Sequence, residues 1–473
     1  MVTFWAWAFF IAEWAIRLVM LFYVPQKRSP AAARTWLLLI FIEPFLGLLL
    51  YSLLGRAYMP KRRIELLEEV SQLIKRKVGL LESHVRRPDL PPEFLQAVRL
   101  AENLGDFPIL GGNHVELLPD YDGAIGRLVA DIAAARRHVN LLYYLFADDK
   151  VGNRVADALI EAVRRGVVCR LLLDSFASRH ALRTLGPRLR AAGVEVVAVL
   201  PLGFFRRKAA RLDLRNHRKI AVLDGRIAYV GSQNIVDADF KRGIVYEELV
   251  ARVTGPVVHE LQAVLLADRF FETETEASEE EERFPSLDHT GDVEAQTLPS
   301  GPGYPFENNL RLIVALLFAA QKRVVMTTPY FIPDDTLLQA MTTAAQRGVE
   351  VHLVVSSKAD QWLVGLAQRS YYGELLAAGV RIHVYKTHFL HAKHLSIDDQ
   401  VALIGSTNMD MRSFALQCEV SLLVYDETVV KALHGVQQRY FDGSSVLTAE
   451  EWRRRPFLAR LFQNLARLVD TVL

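Results

Sequence analysis

Only two cysteines occur in 473 residues, Cys169 and Cys418, each inside an apolar strand-like run. That is too few for a disulfide-built scaffold and fits reduced core thiols in a reducing compartment. An excess of charge is also missing. Lys and Arg number 56 against 54 Asp and Glu, a formal net charge of +2. This balance gives no pointer to a nucleic-acid partner, and none is expected. There is no CxxC, HExxH, Walker loop or GxGxxG, and no cluster of carboxylate, His or Cys ligands. Zinc, nucleotide and dinucleotide sites of those kinds are therefore excluded, and neither metal nor cofactor is expected. Apolar residues, by contrast, make up 51% of the chain, enough for a large core and two or three domains.

One stretch of the chain occurs twice. His217, Lys219, Asp224, Gly231, Ser232 and Asn234 stand at the same offsets as His391, Lys393, Asp398, Gly405, Ser406 and Asn408. Shorter echoes surround them: Arg165-Gly166-Val167 and Arg347-Gly348-Val349, Ala191–Val194 and Ala377–Val380, Tyr144–Asp149 and Tyr330–Asp335. Strand-like runs at Val139–Phe146, Val167–Asp174 and Val194–Leu200 alternate with helical patterns at Leu128–Arg137 and Ala156–Arg165. Two long copies, not many short ones, predict an α/β fold: two pseudo-twofold-related lobes, each a mixed sheet flanked by helices.

Two apolar runs precede them, Val2–Val24 and Trp36–Leu54, each near bilayer-spanning length. They read as a transmembrane helical hairpin over residues 1–57. The first run has no basic n-region or small-residue cleavage site, which argues against a signal peptide. Glu13 and Arg17, four apart and able to pair, leave a re-entrant first helix open. The basic residues beyond the second run outnumber those of the 25–34 connector, which places the lobes on the cytoplasmic side. The remaining divisions are an amphipathic linker (58–107), a first lobe (108–271), an acidic linker (272–295), a second lobe (296–450) and an amphipathic tail (451–473). Glu65–Glu82 reads as a linker helix or a membrane-surface helix. The insert Leu200–Asn216, with Phe204, Phe205, Arg206, Arg207, Lys208 and Arg211, reads as a lipid-headgroup loop or a solvated basic loop. Glu272–Glu282 suits a disordered linker. The tail, apolar at Leu458, Leu461, Leu465 and Leu468, either packs on the core or lies on a membrane.

In extended chain, alternate side chains share a face, so His217 and Lys219 point one way, as do His391 and Lys393. A twofold brings both pairs to one interface. There, Lys219, Lys393, Asn234 and Asn408, with Ser232 and Ser406, can neutralise and bind a phosphodiester. One imidazole attacks phosphorus, forming a phosphohistidine. The other protonates the leaving alkoxide and then deprotonates the incoming alcohol. A nucleophilic imidazole is held in one tautomer by an acid on its other nitrogen. Glu248 and Glu419, each opening a strand-like run after its GSxN, are the candidates, and Glu247 is the neighbour to mistake for one. Asp224 and Asp398 complete the motif and are counted with the catalytic set. Their place at strand ends, five residues past the lysines, suits holding backbone better than touching phosphate.

The HxKx4D and GSxN pattern resembles the phospholipase D superfamily. Glu43–Tyr51, Met326–Phe331, Leu375–Val380 and Asn408–Ser413 narrow the resemblance to bacterial cardiolipin synthases over nearly the whole chain. Departures are mild: Glu248 stands where an aspartate is common, and Ala392 fills a variable place. The resemblance implies transphosphatidylation in the bacterial inner (cytoplasmic) membrane, two phosphatidylglycerols giving cardiolipin and glycerol. It implies a first-motif histidine as nucleophile and a second as acid/base. Anionic phospholipids are the partners it implies. Phosphatidylethanolamine as co-substrate, a membrane-bound phospholipase D-type hydrolase with water as acceptor, and a binding protein that kept the fold are the alternatives. The intact motifs argue against the last.

Overall fold

The structure is a computed structural model and describes residues 2–28, 30–55, 61–201, 213–275 and 289–468. The basic insert residues Phe204–Arg211 and most of the acidic run, from 276 to 288, lie outside these.

Helix α1 (Val2–Tyr23) is about 33 Å long at helical rise, and its Phe4–Tyr23 stretch is the one helix among the described residues long and apolar enough to cross a bilayer. Phe4, Trp7, Phe10 and Phe22 are exposed along it. Its two charges are satisfied internally: Arg17 pairs with Glu13 at 3.2 Å and donates to the Phe41 carbonyl at 3.2 Å. The second apolar run, expected as one helix, is two: α2 (Pro30–Ile42) and α3 (Pro44–Leu50), followed by a π turn over Tyr51–Gly55. The break has a local cause. Pro44 disfavours helical backbone at Glu43, which sits at φ −132°, ψ 89°. The bend is sharp enough that a Cβ on Gly47 would lie 2.6 Å from the Ile40 Cα. In a straight helix those residues would be about 10 Å apart.

The catalytic part holds 20 strands among the described residues, 16 in one sheet and four in two separate two-stranded pairs. Its first half contains β1 (Leu110–Leu118), β2 (His138–Tyr143), β3 (Val168–Asp174), β4 (Glu195–Val199), β5 (Arg215–Asn216), β6 (Lys219–Leu223), β7 (Ile227–Gly231), β8 (Tyr246–Glu247) and β9 (Val250–Thr254). The second contains β10 (Val293–Ser300), β11 (Arg323–Thr327), β12 (Phe331–Ile332), β13 (Glu350–Ser356), β14 (Arg381–Tyr385), β15 (Phe389–Leu390), β16 (His394–Ile397), β17 (Val401–Gly405), β18 (Met409–Asp410), β19 (Gln417–Val424) and β20 (Ser444–Leu447). The strand order β1-β9-β7-β6-β2-β3-β4 is repeated as β10-β19-β17-β16-β11-β13-β14, with β20 added at that edge. β1 and β10 pair antiparallel and join the lobes. In each half the β2–β3–β4 or β11–β13–β14 ladder is parallel and the other neighbours in that order are antiparallel, while β5, off the main path, joins β19 in parallel. This is the pseudo-twofold pair of mixed α/β lobes that the duplication predicts.

Three cores form. One lies in each lobe, and a third draws on both: Leu142, Ile220 and Val222 meet Val325, Ile404 and Leu422, with Val258–Leu265 and Val429–Tyr440 supplying helical faces. The residue divisions differ from the expected ones at two places. Helix Pro92–Gly105, assigned to the linker, buries Phe94, Ala97 and Ala101 in the second lobe's core. The chain therefore builds part of the far lobe before the near one. Glu272 and Glu274, assigned to a floppy linker, end helix Val258–Thr273 and pair with Arg63 (2.6 Å) and Arg62 (3.3 Å) of the helix Lys61–Val78.

Candidate active site

The histidines are placed by two short strands that cross between lobes. β5 pairs in parallel with β19, Arg215 opposite Gln417 and Asn216 opposite Cys418. β15 pairs in parallel with β8, Phe389 opposite Tyr246 and Leu390 opposite Glu247. The next backbone bonds continue this register: His217 N–H donates to the Cys418 carbonyl (2.9 Å) and His391 N–H to the Glu247 carbonyl (2.8 Å). One residue further on, each imidazole meets a glutamate from the other lobe. His217 Nδ1 lies 2.9 Å from Glu419 Oε1, and His391 Nδ1 lies 2.6 Å from Glu248 Oε1. Glu247, the near neighbour, faces elsewhere and accepts from the Tyr385 hydroxyl at 2.6 Å.

The lysines lie beside the histidines, fully buried. Lys219 Nζ donates to the His217 carbonyl and Lys393 Nζ to the His391 carbonyl, both at 2.6 Å. Each ammonium keeps two further donors. The glycines of GSxN are needed because β7 and β17 press on their neighbours: a Cβ on Gly231 or Gly405 would stand 2.3 Å from the Leu249 or Val420 carbonyl oxygen.

Both histidines, Asn234 and Asn408 line one cavity of about 400 Å³. The asparagines are anchored differently. Asn234 accepts from the Leu145 N–H through Oδ1 (3.1 Å), which leaves its amide donors for an anion, whereas Asn408 donates from Nδ2 to Ser413 Oγ (3.3 Å). Residues that carry no motif complete the walls. Tyr144 packs edge-on against His217 (ring centroids 4.7 Å apart) and Tyr246 against His391 (5.4 Å). Asp360 accepts from Tyr330 Oη (2.6 Å), Tyr246 Oη (3.2 Å) and Lys241 Nζ (2.7 Å). Sequence reading missed this cluster. The Tyr330 echo of Tyr144 was its one visible trace. A larger cavity, about 840 Å³, lies beneath the first motif. Arg218 and Asp268 line it but neither histidine does, so the chemistry belongs to the smaller one.

The two lysines and the two glutamates back the histidines without lining the cavity, and four further residues counted with the site stand apart from it. The Asp224 carboxylate accepts the N–H groups of Arg136, Arg137 and His138 (2.8–2.9 Å), and that of Asp398 those of Gln321, Lys322 and Arg323 (2.7–2.8 Å). Both adopt left-handed backbone, φ 52° and 48°. Each lies five positions along the chain from its lysine, about 16 Å in extended backbone, so they fasten the starts of β2 and β11 and cannot reach a phosphate bound between the histidines. Ser232 and Ser406, expected on phosphate, instead hold the glutamate strands: their hydroxyls accept from Leu249 N–H (3.0 Å) and Val420 N–H (3.1 Å), and Ser406 Oγ also bonds Glu419. Asp224→Ala should accordingly lower stability by about 2 kcal/mol, from lost charge-assisted bonds and an alanine in left-handed backbone. Turnover per folded molecule should stay within about threefold. Denaturant melts beside activity normalised to folded protein check this, and a hundredfold loss in the folded fraction would return the aspartate to the catalytic set.

The electrostatics of the two halves differ. Burial, then Lys219 and Lys393, hold His217 well below the usual imidazole range. Burial pushes its partner Glu419 up to about 7. His391 is lowered by burial too, but Glu248 opposes the shift. Burial alone would raise Glu248, yet His391, Lys393 and Ser232 outweigh it and keep the carboxylate below its usual value. Burial brings Lys219 down to about 7 and Lys393 to about 8.

A family model described as cardiolipin synthase, PLD-like domain, matches residues 128–268 and 313–440. Cardiolipin synthase A of Pectobacterium carotovorum subsp. carotovorum (strain PC1) is 36% identical over 453 residues, 93% of this chain and 92% of that protein. Cardiolipin synthase A of Proteus mirabilis (strain HI4320) is 33% identical over 488 residues, 99% and 98% of the two chains. The crystal structure of phosphatidylserine synthase from Haemophilus influenzae Rd KW20 superposes with a TM-score of 0.60 at 16% identity, over 80% of this chain and 100% of that one. That likeness speaks to the fold.

Proposed function

Because the chain belongs to the cardiolipin synthase family of phospholipase D-like proteins, we propose that it is a membrane-associated phosphatidyltransferase that makes cardiolipin from phospholipid. The observation that carries the reading is the shared cavity, with two histidines each oriented by the opposite lobe's glutamate. In the first half-reaction His217 Nε2 attacks the phosphorus of phosphatidylglycerol. A P–N bond forms, the bond from phosphorus to the glycerol oxygen breaks, and His391 gives that oxygen its proton. In the second, His391 takes the proton from an acceptor alcohol, whose oxygen displaces His217. Lys219, Lys393 and the Asn234 amide bind the phosphoryl oxygens throughout. Assigning attack to His217 follows the family resemblance and is supported by its stronger hold in the neutral form, since a protonated imidazole has no lone pair to offer.

Phosphatidylglycerol serves as both donor and acceptor in this reading. Asp360, fixed by two tyrosines and Lys241 on the His391 side, is placed to receive the acceptor's free hydroxyl. Purified protein given phosphatidylglycerol alone should yield cardiolipin and free glycerol in equal amounts with no nucleotide. Added glycerol should drive the reaction back, because one phosphodiester is exchanged for another. Labelled lipid resolved by chromatography reads the outcome, and phosphatidic acid as the chief product would make the protein a hydrolase.

In the membrane, α1 spans and the bent α2–α3 segment crosses back beside it, with the lobes on the cytoplasmic side. The support is the run of basic residues at Lys61, Arg62 and Arg63 beyond the apolar segment. Protease accessibility in sealed vesicles of known orientation should find the lobes exposed on the cytoplasmic face and the 25–34 connector on the other. Cleavage of the lobes from the outer face would reverse the orientation.

A further inference from the structure

The packing of the C-terminal helix excludes one of the two uses open to it. In Phe457–Arg467 and the residue after it, Phe457, Leu458, Leu461, Phe462, Leu465 and Leu468 are all 41–72% exposed. At about 100° per residue they fall within an arc of roughly 140°. The buried residues, Gln463 and Ala466, centre roughly 140° away from the middle of that arc. An amphipathic helix of a globular domain ordinarily turns its apolar stripe inward. This one packs by its narrow polar and small-residue face and turns the stripe outward, so core packing is not its use.

Its surroundings indicate what covers the stripe. The helix packs on Trp362–Ser370, whose Trp362 is 72% exposed. Either side of Trp362, Gln361 and Val364 line the catalytic cavity. Between residues 448 and 468 there are five arginines, Arg453, Arg454, Arg455, Arg460 and Arg467, against two glutamates; Arg454 pairs with Glu450 and Arg467 with Glu374, and the balance stays positive. Apolar stripe, flanking arginines and a tryptophan at the edge together match the interface of an anionic bilayer, where rings sit at headgroup level and arginines meet phosphates. A second copy of the chain would bring like charges together.

We propose that this face is a membrane-docking surface. The helix lies in the interface of an anionic phospholipid leaflet, and Trp362 enters at the same level. The mouth of the histidine cavity then opens onto the lipid that feeds it. The choice of a lipid occupant rests on the phospholipid-substrate reading above.

The test uses the full chain in phosphatidylglycerol nanodiscs, with an environment-sensitive fluorophore on Phe462→Cys or Leu458→Cys. Cys169 and Cys418 are buried, with thiols pushed up to about 12, so the introduced cysteine takes the label. Doxyl-labelled lipid should quench both positions at least twofold more than a reference label at Glu161→Cys on the first lobe. Quenching no greater than the reference at both positions overturns the proposal. So does disulfide cross-linking of Phe462→Cys between copies without quenching, which would assign the face to a dimer. The readout needs no turnover. A quenched protein that makes no cardiolipin leaves docking intact and sinks the substrate reading, and an active, unquenched protein does the reverse.

Discussion

Replacing His217 with alanine should cut cardiolipin formation by about four to six orders of magnitude, the scale on which a nucleophile and its base are lost as a unit. His391→Ala should fall in the same range, and the double variant should be little worse than either single one. The two variants part company with a donor whose leaving group needs no proton, such as a phosphatidyl ester of p-nitrophenol. With that donor His391→Ala should still release one equivalent of nitrophenol and carry an acid-labile phosphatidyl group on the His217 peptide, detected by mass spectrometry. His217→Ala should release none. Both imidazoles are exposed by less than a tenth of their area within a shared wall, and neither donates a bond on which a strand depends through its side chain, so the variants should fold and stay membrane-bound. An adduct on His391 in the His217→Ala protein would exchange the two roles.

Much of this arrangement could be read from spacing. The six-position repeat locates both lobes, and the His-x-Lys alternation puts imidazole and ammonium on one side of an extended chain. What spacing could not supply was register between distant segments. Glu419 orients His217 across 202 residues because β5 pairs with β19. A slip of one residue there would bring Cys418 or Val420 to the imidazole instead. The same holds for Glu248 rather than Glu247 at His391. The second membrane segment is the opposite case. The Glu43-Pro44 break was visible as a proline after a polar residue, and the apolar count over Trp36–Leu54 concealed it. Amphipathic periodicity showed that Phe457–Leu468 has an apolar side but is silent on which way that side faces, since orientation depends on the contacts of Gln463 and Ala466. Asp360, in a loop without periodicity, carried no signal beyond its residue type.

The cross-lobe glutamate is where the second large effect is expected. Glu419→Gln preserves shape, so substrate binding should change little and KM should stay within about threefold. The turnover should fall about 10³- to 10⁴-fold, the cost of leaving a catalytic imidazole without the acid that sets its tautomer. The pH profile separates this role from simple packing. Nδ1–H of His217 needs an ionised acceptor, and burial holds Glu419 at about 7. Wild-type kcat/KM should therefore rise as pH increases through about 7. It should fall again as His391, the acid, whose value burial lowers, loses the proton it must give, and as Lys219 and Lys393, lowered by burial to about 7 and 8, lose the protons that bind phosphate. The result is a narrow bell whose limbs belong to the coupled cluster and not to single residues. Glu419→Gln has no carboxyl to ionise, so its acid limb should flatten while the alkaline limb remains. Glu248, held below its usual value chiefly by His391 once burial is outweighed, is ionised across this range. Glu248→Gln should therefore lose turnover without flattening the acid limb. An unchanged acid limb in Glu419→Gln would mean that another group gates His217, and the 2.9 Å contact between the lobes would then be structural alone.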